Sequence, residues 1–246
     1  MKPFMHAACA AIAVLCLCAP IAARAGVVIA GTRVVFPAKQ GEVTVRLSNQ
    51  NDRPVLVEAW IDTGDLNSTP NSVNTPFLIT PPLFRMESNK EQSLRIIYTQ
   101  GSQPLPADRE SLFWLNVLEI PPKPAGPQSA GHNYLQFAIR SRLKFFYRPA
   151  NLQGDATKAP DTLSFTAQGT TLDVRNPTPY YVTISKLSLG ANGNPIDGAS
   201  GMVAPLGDLR VALKGLTQAP SAGTPVVFTT INDYGATDTH KSTVTQ

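Results

Sequence analysis

Short runs of alternating apolar and polar residues, cut by clusters of turn formers, fill most of this chain, and almost no stretch carries the 3.6-residue period of a helix. Val43, Val45 and Leu47 alternate with Thr44, Arg46 and Ser48, and Val55, Val57, Ala59 and Ile61 repeat the pattern around Glu58. Phe77 to Thr80, Leu94 to Tyr98 and Leu112 to Ile120 are further runs rich in branched and aromatic residues. Asn49 to Pro54, Asn67 to Pro70, Pro81-Pro82 and Gln100 to Pro104 separate them. A period of two over short segments leaves each strand one face to bury, and facing sheets are the economical way to bury it. The pattern predicts an all-β chain built from sandwiches of immunoglobulin type.

Length and texture divide the chain. Lys2, the apolar stretch Ala7 to Ala19 and the small residues of Ala23-Arg24-Ala25 read as a secretory signal occupying residues 1–25. The stretch is shorter than the ~20 residues that span a bilayer, so stable membrane insertion is not expected. All three cysteines, Cys9, Cys16 and Cys18, fall inside it, leaving an exported chain without a thiol or a disulfide. Residues 26–149 end in the longest strand candidate, Tyr134 to Pro149, after which the composition shifts to Gly, Ala, Thr and Ser. Residues 150–246 carry weaker candidates at Thr162–Ala167, Thr171–Arg175, Tyr180–Leu189 and Pro225–Ile231. Two domains are expected, each of ordinary sandwich size.

Composition excludes more than it assigns. The formal charge of +4 includes Lys2 and Arg24, the only charged residues before Gly26, so the exported chain carries +2 and has no basic arm for nucleic acid. His132 and His240 are the histidines left after the signal, without cysteine and without HxxxH or HxH spacing, so no metal site is expected. There is no Gly-Lys dipeptide for a phosphate loop and no G-x-S-x-G elbow. The expectation is a binding protein, without catalytic residues and without a cofactor.

The segment Asn133 to Arg148 is the most informative. Leu135, Phe137, Ile139, Leu143, Phe145 and Tyr147 occupy odd positions, interrupted by Ser141, while Gln136, Ala138, Arg140, Arg142 and Lys144 occupy even ones. In a strand these form an apolar and a basic face. Taken alone, the pattern fits a plain half-buried strand.

Eight segments occur in order, one of them the end of this run: Thr32-Arg-Val-Val-Phe-Pro37, Thr80-Pro-Pro-Leu-Phe-Arg85, Leu94-Arg-Ile-Ile-Tyr98, Asp108-Arg-Glu-Ser-Leu-Phe-Trp-Leu-Asn116, Glu119-Ile-Pro-Pro122, Leu143-Lys-Phe-Phe-Tyr-Arg-Pro149, Asn176-Pro-Thr-Pro-Tyr-Tyr181 and Ile231-Asn-Asp-Tyr-Gly235. Together they resemble the PapD-like periplasmic chaperones of fimbrial (pilus) subunits. The resemblance implies two immunoglobulin-like β-sandwiches set at an angle around a cleft. It also implies residence in the periplasm, with pilus subunits, an adhesin and an outer-membrane usher as partners. Such a chaperone lends a strand to a subunit that lacks one, a recognised form of β-augmentation. Aligned on the Leu143 to Pro149 motif, the donor side chains are Leu135, Phe137 and Ile139, and Gln136 and Arg140 point away and tolerate alanine. Phe137 is larger than the usual aliphatic residue there and narrows the range of grooves accepted. Arg33 and Lys144 match the residues that hold the subunit's C-terminal carboxylate. Glu110, Arg148 and Asp233 match an interdomain ionic network, and Phe113 and Trp114 read as core. The connection Pro121 to His132 resembles the short-loop subgroup, which serves rod-like pili. When free, the chaperone either exposes the donor face or caps it in a homodimer. The competing reading is an exported fibre subunit or adhesin of the same fold.

Overall fold

The computed structural model describes residues 26–101, 104–123, 134–190, 194–195, 200–213 and 218–245. The signal reading and His132 lie outside these residues, as does most of the Pro121–His132 connection. Nine strands form the first half: β1 (Val27–Ile29), β2 (Arg33–Pro37), β3 (Glu42–Asn49), β4 (Val55–Asp62), β5 (Phe77–Thr80), β6 (Leu83–Met86), β7 (Glu91–Tyr98), β8 (Ser111–Ile120) and β9 (Ile139–Arg148). They make two sheets, in the orders β1-β3-β7-β5 and β2-β9-β8-β4-β6. The alternation read from sequence decides which residues face inward. Val45 and Leu47 of β3 and Leu94 and Ile96 of β7 meet Val57 of β4, Leu115 of β8 and Phe145 of β9 in one core. An aromatic nucleus binds the two sheets, with Phe77 at 5.0 Å from Phe113 and 4.9 Å from Phe145 in edge-to-face contact. Phe36 reaches the same nucleus from β2, stacked 5.8 Å from Tyr147. Each such side chain stabilises the fold by ~1.5–3 kcal/mol through area removed from water, with edge-to-face geometry adding to it.

The second half contains β10 (Ser164–Gln168), β11 (Thr171–Arg175), β12 (Val182–Leu189), β13 (Asn194–Pro195), β14 (Gly201–Val203), β15 (Asp208–Ala212), β16 (Pro225–Ile231) and β17 (Thr237–Thr245). β17 pairs antiparallel with β16 from Thr237 to Thr243, then parallel with β10 at Val244 and Thr245. That change of partner joins the β12-β16 side to the β10-β11-β15 side around Phe165, Leu172, Val174, Ile184, Leu187 and Phe228. Each half therefore has its own core, and the architecture is a pair of immunoglobulin-like sandwiches.

The N-terminal segment changes sheets. β1 pairs antiparallel with β3, and after Ala30–Thr32 the chain re-emerges as β2, parallel to β9 in the opposite sheet. Gly31 makes the corner with φ +99°, a conformation that a side chain would disfavour. This crossing puts Arg33 beside Lys144 and limits how much of β9 can be covered.

Candidate functional site

β9 is held unequally along its length. β8 pairs with it from Ser111↔Tyr147 to Glu119↔Ile139, whereas β2 covers only Lys144 to Arg148. From Ile139 to Leu143 one strand edge is therefore open. Sequence alternation predicted a strand from Tyr134, but the ladder begins at Ile139. The partner strand explains the difference: β8 ends at Ile120 and is followed by Pro121-Pro122, which have no N–H to donate. Residues 134–138 are consequently unpaired, although Gln136 Nε2 donates to the Pro121 carbonyl at 2.6 Å.

The odd-numbered side chains change environment along this strand. Leu143, Phe145 and Tyr147 are buried in the first core, while Ile139, Phe137 and Leu135 are 57%, 67% and 78% exposed. Tyr134 is exposed beside them. Four large apolar residues in a six-residue stretch beside an open strand edge make a self-association hazard unless something covers them.

Arg33 and Lys144 are direct register partners in the β2–β9 pair. Val34, Phe36, Phe145 and Tyr147 point into the core, so both cations point to the opposite face, toward the second sandwich. Arg33 Nη1 donates to the Ile231 carbonyl at 2.9 Å, and its guanidinium lies 6.0 Å from the Phe146 ring centre. Its Nε is buried without a partner. Lys144 Nζ donates to Thr183 Oγ1 at 3.3 Å. Burial pulls both groups below their ordinary pKa; Asp233 opposes this at Arg33, and Arg33 adds to it at Lys144. Among the described residues, no carboxylate forms an ion pair with either cation. Two adjacent half-buried cations with unspent donors suit a carboxylate ligand, which accepts from a fork and from a point charge together.

Beyond β2 the two sandwiches are joined by one ionic network. Arg148 Nε donates to Glu110 Oε1 at 2.6 Å, while Nη1 and Nη2 grip Asp233 at 2.7 and 3.1 Å. Glu110, 3% exposed, also accepts from the Tyr181 N–H at 2.7 Å. Its backbone N–H donates to the Pro179 carbonyl at 2.9 Å. Burial pushes the Glu110 carboxyl up against the pull of Arg148. Burial also works against the Arg148 charge, but its bonds to Asp233 and Glu110 and their negative charge outweigh it and hold the guanidinium above its ordinary pKa. The three residues come together, one of them from the second sandwich. Phe146 packs on Tyr181 at 5.6 Å beside them.

A second polar cluster lies on the same outer face as Lys144, and sequence reading missed it. Asp62, 1% exposed at the end of β4, accepts from Arg142 Nη2 and the Gly64 N–H, both at 2.6 Å, from Asn116 Nδ2 at 2.7 Å and from Ser68 Oγ at 2.8 Å. Burial works to raise the Asp62 carboxyl, but these bonds prevail and hold it below the usual carboxylate range. Arg142 covers Trp114 at 4.4 Å and Arg140 covers Trp60 at 4.8 Å. One expectation needs correction here. Phe113 is core, but Trp114 is on the outer face, because Phe113 takes the inward position of β8. Arg140 lies on the face away from the apolar row, and it is held there: it donates to Asn116 Oδ1 and the Leu66 carbonyl at 2.8 Å and to Ser68 Oγ at 2.9 Å. The available signal was the pairing of Trp60 and Asp62 with Arg140 and Arg142, each two residues apart and on one face of its strand.

Comparison with known proteins places this geometry. Residues 26–153 match the family model "Pili and flagellar-assembly chaperone, PapD N-terminal domain", and residues 158–242 match "Pili assembly chaperone PapD, C-terminal domain". The chaperone protein MrkB of Klebsiella pneumoniae is 43% identical over 89% of this chain and 91% of its own length. The chaperone protein FimB/FhaD of Bordetella pertussis is 45% identical over 91% and 90%. Among solved structures, the YadV chaperone superposes with a TM-score of 0.74 at 39% identity, covering 89% of this chain and all of that one. The SafB chaperone of Salmonella enterica, solved in complex with the SafA pilin, gives a TM-score of 0.74 at 28% identity over 92% and 99%. Two family models in their proper order, with relatives this similar along nearly the whole chain, show that it belongs to the PapD family of pili-assembly chaperones.

Proposed function

We propose that this protein is exported with residues 1–25 removed, and that in the periplasm it binds and caps pilus subunits, the adhesin included, before delivering them to an outer-membrane usher. Leu135, Phe137 and Ile139 enter the groove of a subunit that lacks its last strand, and the open edge of β9 supplies the main-chain pairing. Burial of three such side chains contributes roughly 5–9 kcal/mol gross at ~1.5–3 each, before ordering costs. Arg33 and Lys144 take the subunit's C-terminal carboxylate. Lys144 lies five residues from Ile139, about 17 Å at ~3.3–3.4 Å per residue, so the anchor fixes the register of the inserted strand. Glu110, Arg148 and Asp233 set the relation of the residue 26–149 domain to the residue 150–246 domain. The protein acts as a binding protein, without nucleotide, metal or a chemical step.

The observation that carries this reading is the exposed row Leu135, Phe137 and Ile139 leading into β9, whose Lys144 pairs with Arg33 of β2 as two half-buried cations that form no ion pair with a carboxylate among the described residues. SafB, a relative of similar fold, was solved with its pilin, which supports the assignment. The test is purification from the periplasm of cells expressing the chaperone together with its neighbouring subunit genes. The expected product is a stoichiometric complex with a small exported subunit that is degraded when the chaperone gene is absent. Subunit that accumulates folded without the chaperone would overturn the proposal.

A further inference from the structure

We propose that Arg140 is a positioning residue: it fixes the root of the 134–139 segment and determines which face that segment presents. The inference rests on the donor-strand reading above, but its geometry stands by itself. Ile139 is the last residue of β9 paired to β8, and β2 gives no support before Lys144. At Arg140 the main chain is paired on one side only, to Leu118 of β8, and the side chain adds a second hold just before the pairing ends. The Arg140 guanidinium donates through Nε to Asn116, through Nη1 to the Leu66 carbonyl and through Nη2 to Ser68, while its plane covers Trp60. These partners come from β8, from the β4–β5 connection and from β4 itself.

The residues of the socket are also bonded to one another, independently of Arg140. Asn116 is fully buried, and its Nδ2 is committed to Asp62. Ser68 is buried and accepts from Trp60 Nε1 at 3.1 Å. Charge balance does not account for the arrangement. Arg142 already neutralises Asp62 at 2.6 Å, whereas Arg140 reaches that carboxylate only at 3.5 Å and spends its shorter bonds on neutral acceptors. A fork held in three directions resists rotation of the strand about its own axis. Because side chains alternate, pinning Arg140 to the outer face keeps Ile139 on the other, with Phe137 and Leu135 continuing the row. A one-residue rotation would present Ala138 and Gln136 instead.

The test reads the segment directly. Residues 26–246 contain no cysteine, so Phe137→Cys accepts a single nitroxide label. Its mobility is measured in the otherwise wild-type chaperone, in Arg140→Gln and in Arg142→Gln. Arg142→Gln also removes an Asp62 bond, but from a position further into the paired strand. The expected result is an ordered label in the parent, motion faster by about twofold or more in Arg140→Gln, and no change in Arg142→Gln. An unmoved label in Arg140→Gln overturns the proposal, and so does equal loosening in both variants. If Arg140→Gln does not fold, Arg140→Lys, which keeps the charge without the fork, is read in the same way. Subunit capture by unlabelled Arg140→Gln, measured per folded molecule, separates the two claims. A fall of about tenfold supports both, being the cost of ordering one or two side chains at binding. A mobilised label with undiminished capture keeps the positioning role and refutes the donor-strand reading.

Discussion

Asp62→Asn removes one charge and almost no volume from the side chain at the centre of the outer-face polar cluster. The carboxylate accepts from Arg142, Asn116, Gly64 and Ser68, all within 2.8 Å. Removing one member of a buried ion pair costs about 3–5 kcal/mol, because the survivor is left buried without a partner. Arg140 and Arg142 keep 24% and 16% of their side-chain surface in water, which places the cost at the low end, about 3 kcal/mol. For a chain of this size that lowers the melting midpoint by roughly 6–12 °C. Calorimetry across a pH series adds a second check. The Asp62 carboxyl is held below its ordinary pKa, so its contribution is complete above the unfolded value of about 3.9 and is lost as pH falls through the lower folded value. The gap between wild type and Asp62→Asn is therefore constant near neutrality and closes in strong acid. A midpoint shift under about 2 °C, or a gap that persists undiminished in strong acid, would refute the reasoning.

Lys144→Ala and Arg33→Ala leave a folded protein that no longer protects its subunit, each losing bonds worth roughly 1.5–3 kcal/mol, read as subunit levels in periplasmic extracts. Because Lys144 must be protonated to hold a carboxylate and burial lowers its pKa, complex affinity falls as pH rises, beginning below the ~10.4 of a free lysine; titration calorimetry follows the loss. Within the interdomain network the two acids differ. Arg148→Met strands Glu110 and costs about 3–5 kcal/mol, whereas Asp233→Asn, at a partly exposed position, costs ~1 kcal/mol or less and loosens the domains, detected by small-angle scattering and midpoint together. Reducing agent leaves the midpoint of a chain comprising residues 26–246 unchanged, since these residues hold no cysteine to bridge.

Sequence was most informative where one element decides its own fate. The period of two in β3 and β4 assigned the inward apolar residues correctly, because a strand buried on one face has only one acceptable register. The row Leu135, Phe137 and Ile139 was legible in the same way, although alternation could not tell a core face from an empty one. That distinction depends on where β8 stops and on how little of β9 β2 covers. The Asp62 cluster was missed for a related reason. Its members come from β4, β8, β9 and a connection read as a turn, and they meet only once the strand order β9-β8-β4 is fixed. Ser68 is the clearest case: it belongs to a sequence cluster that looks like a separator, yet it is buried and bonded to Asp62 and Trp60. In the second sandwich, β14, β15 and β17 went unseen because their runs are short or polar on one side, with Thr237 to Thr243 carrying no apolar alternation at all.

The central claim is that Phe137 and Ile139 serve a partner and not the fold, and a paired measurement on Phe137→Ala and Ile139→Ala tests it most directly. Both side chains are largely exposed, so truncation removes little buried area and the denaturation midpoint stays close to wild type. A core residue would lose ~2–5 kcal/mol on the same change. The yield of subunit complex per folded molecule, measured on the same preparations, is expected to fall sharply. A large drop in midpoint with complex formation intact would return this strand to the core and contradict the account.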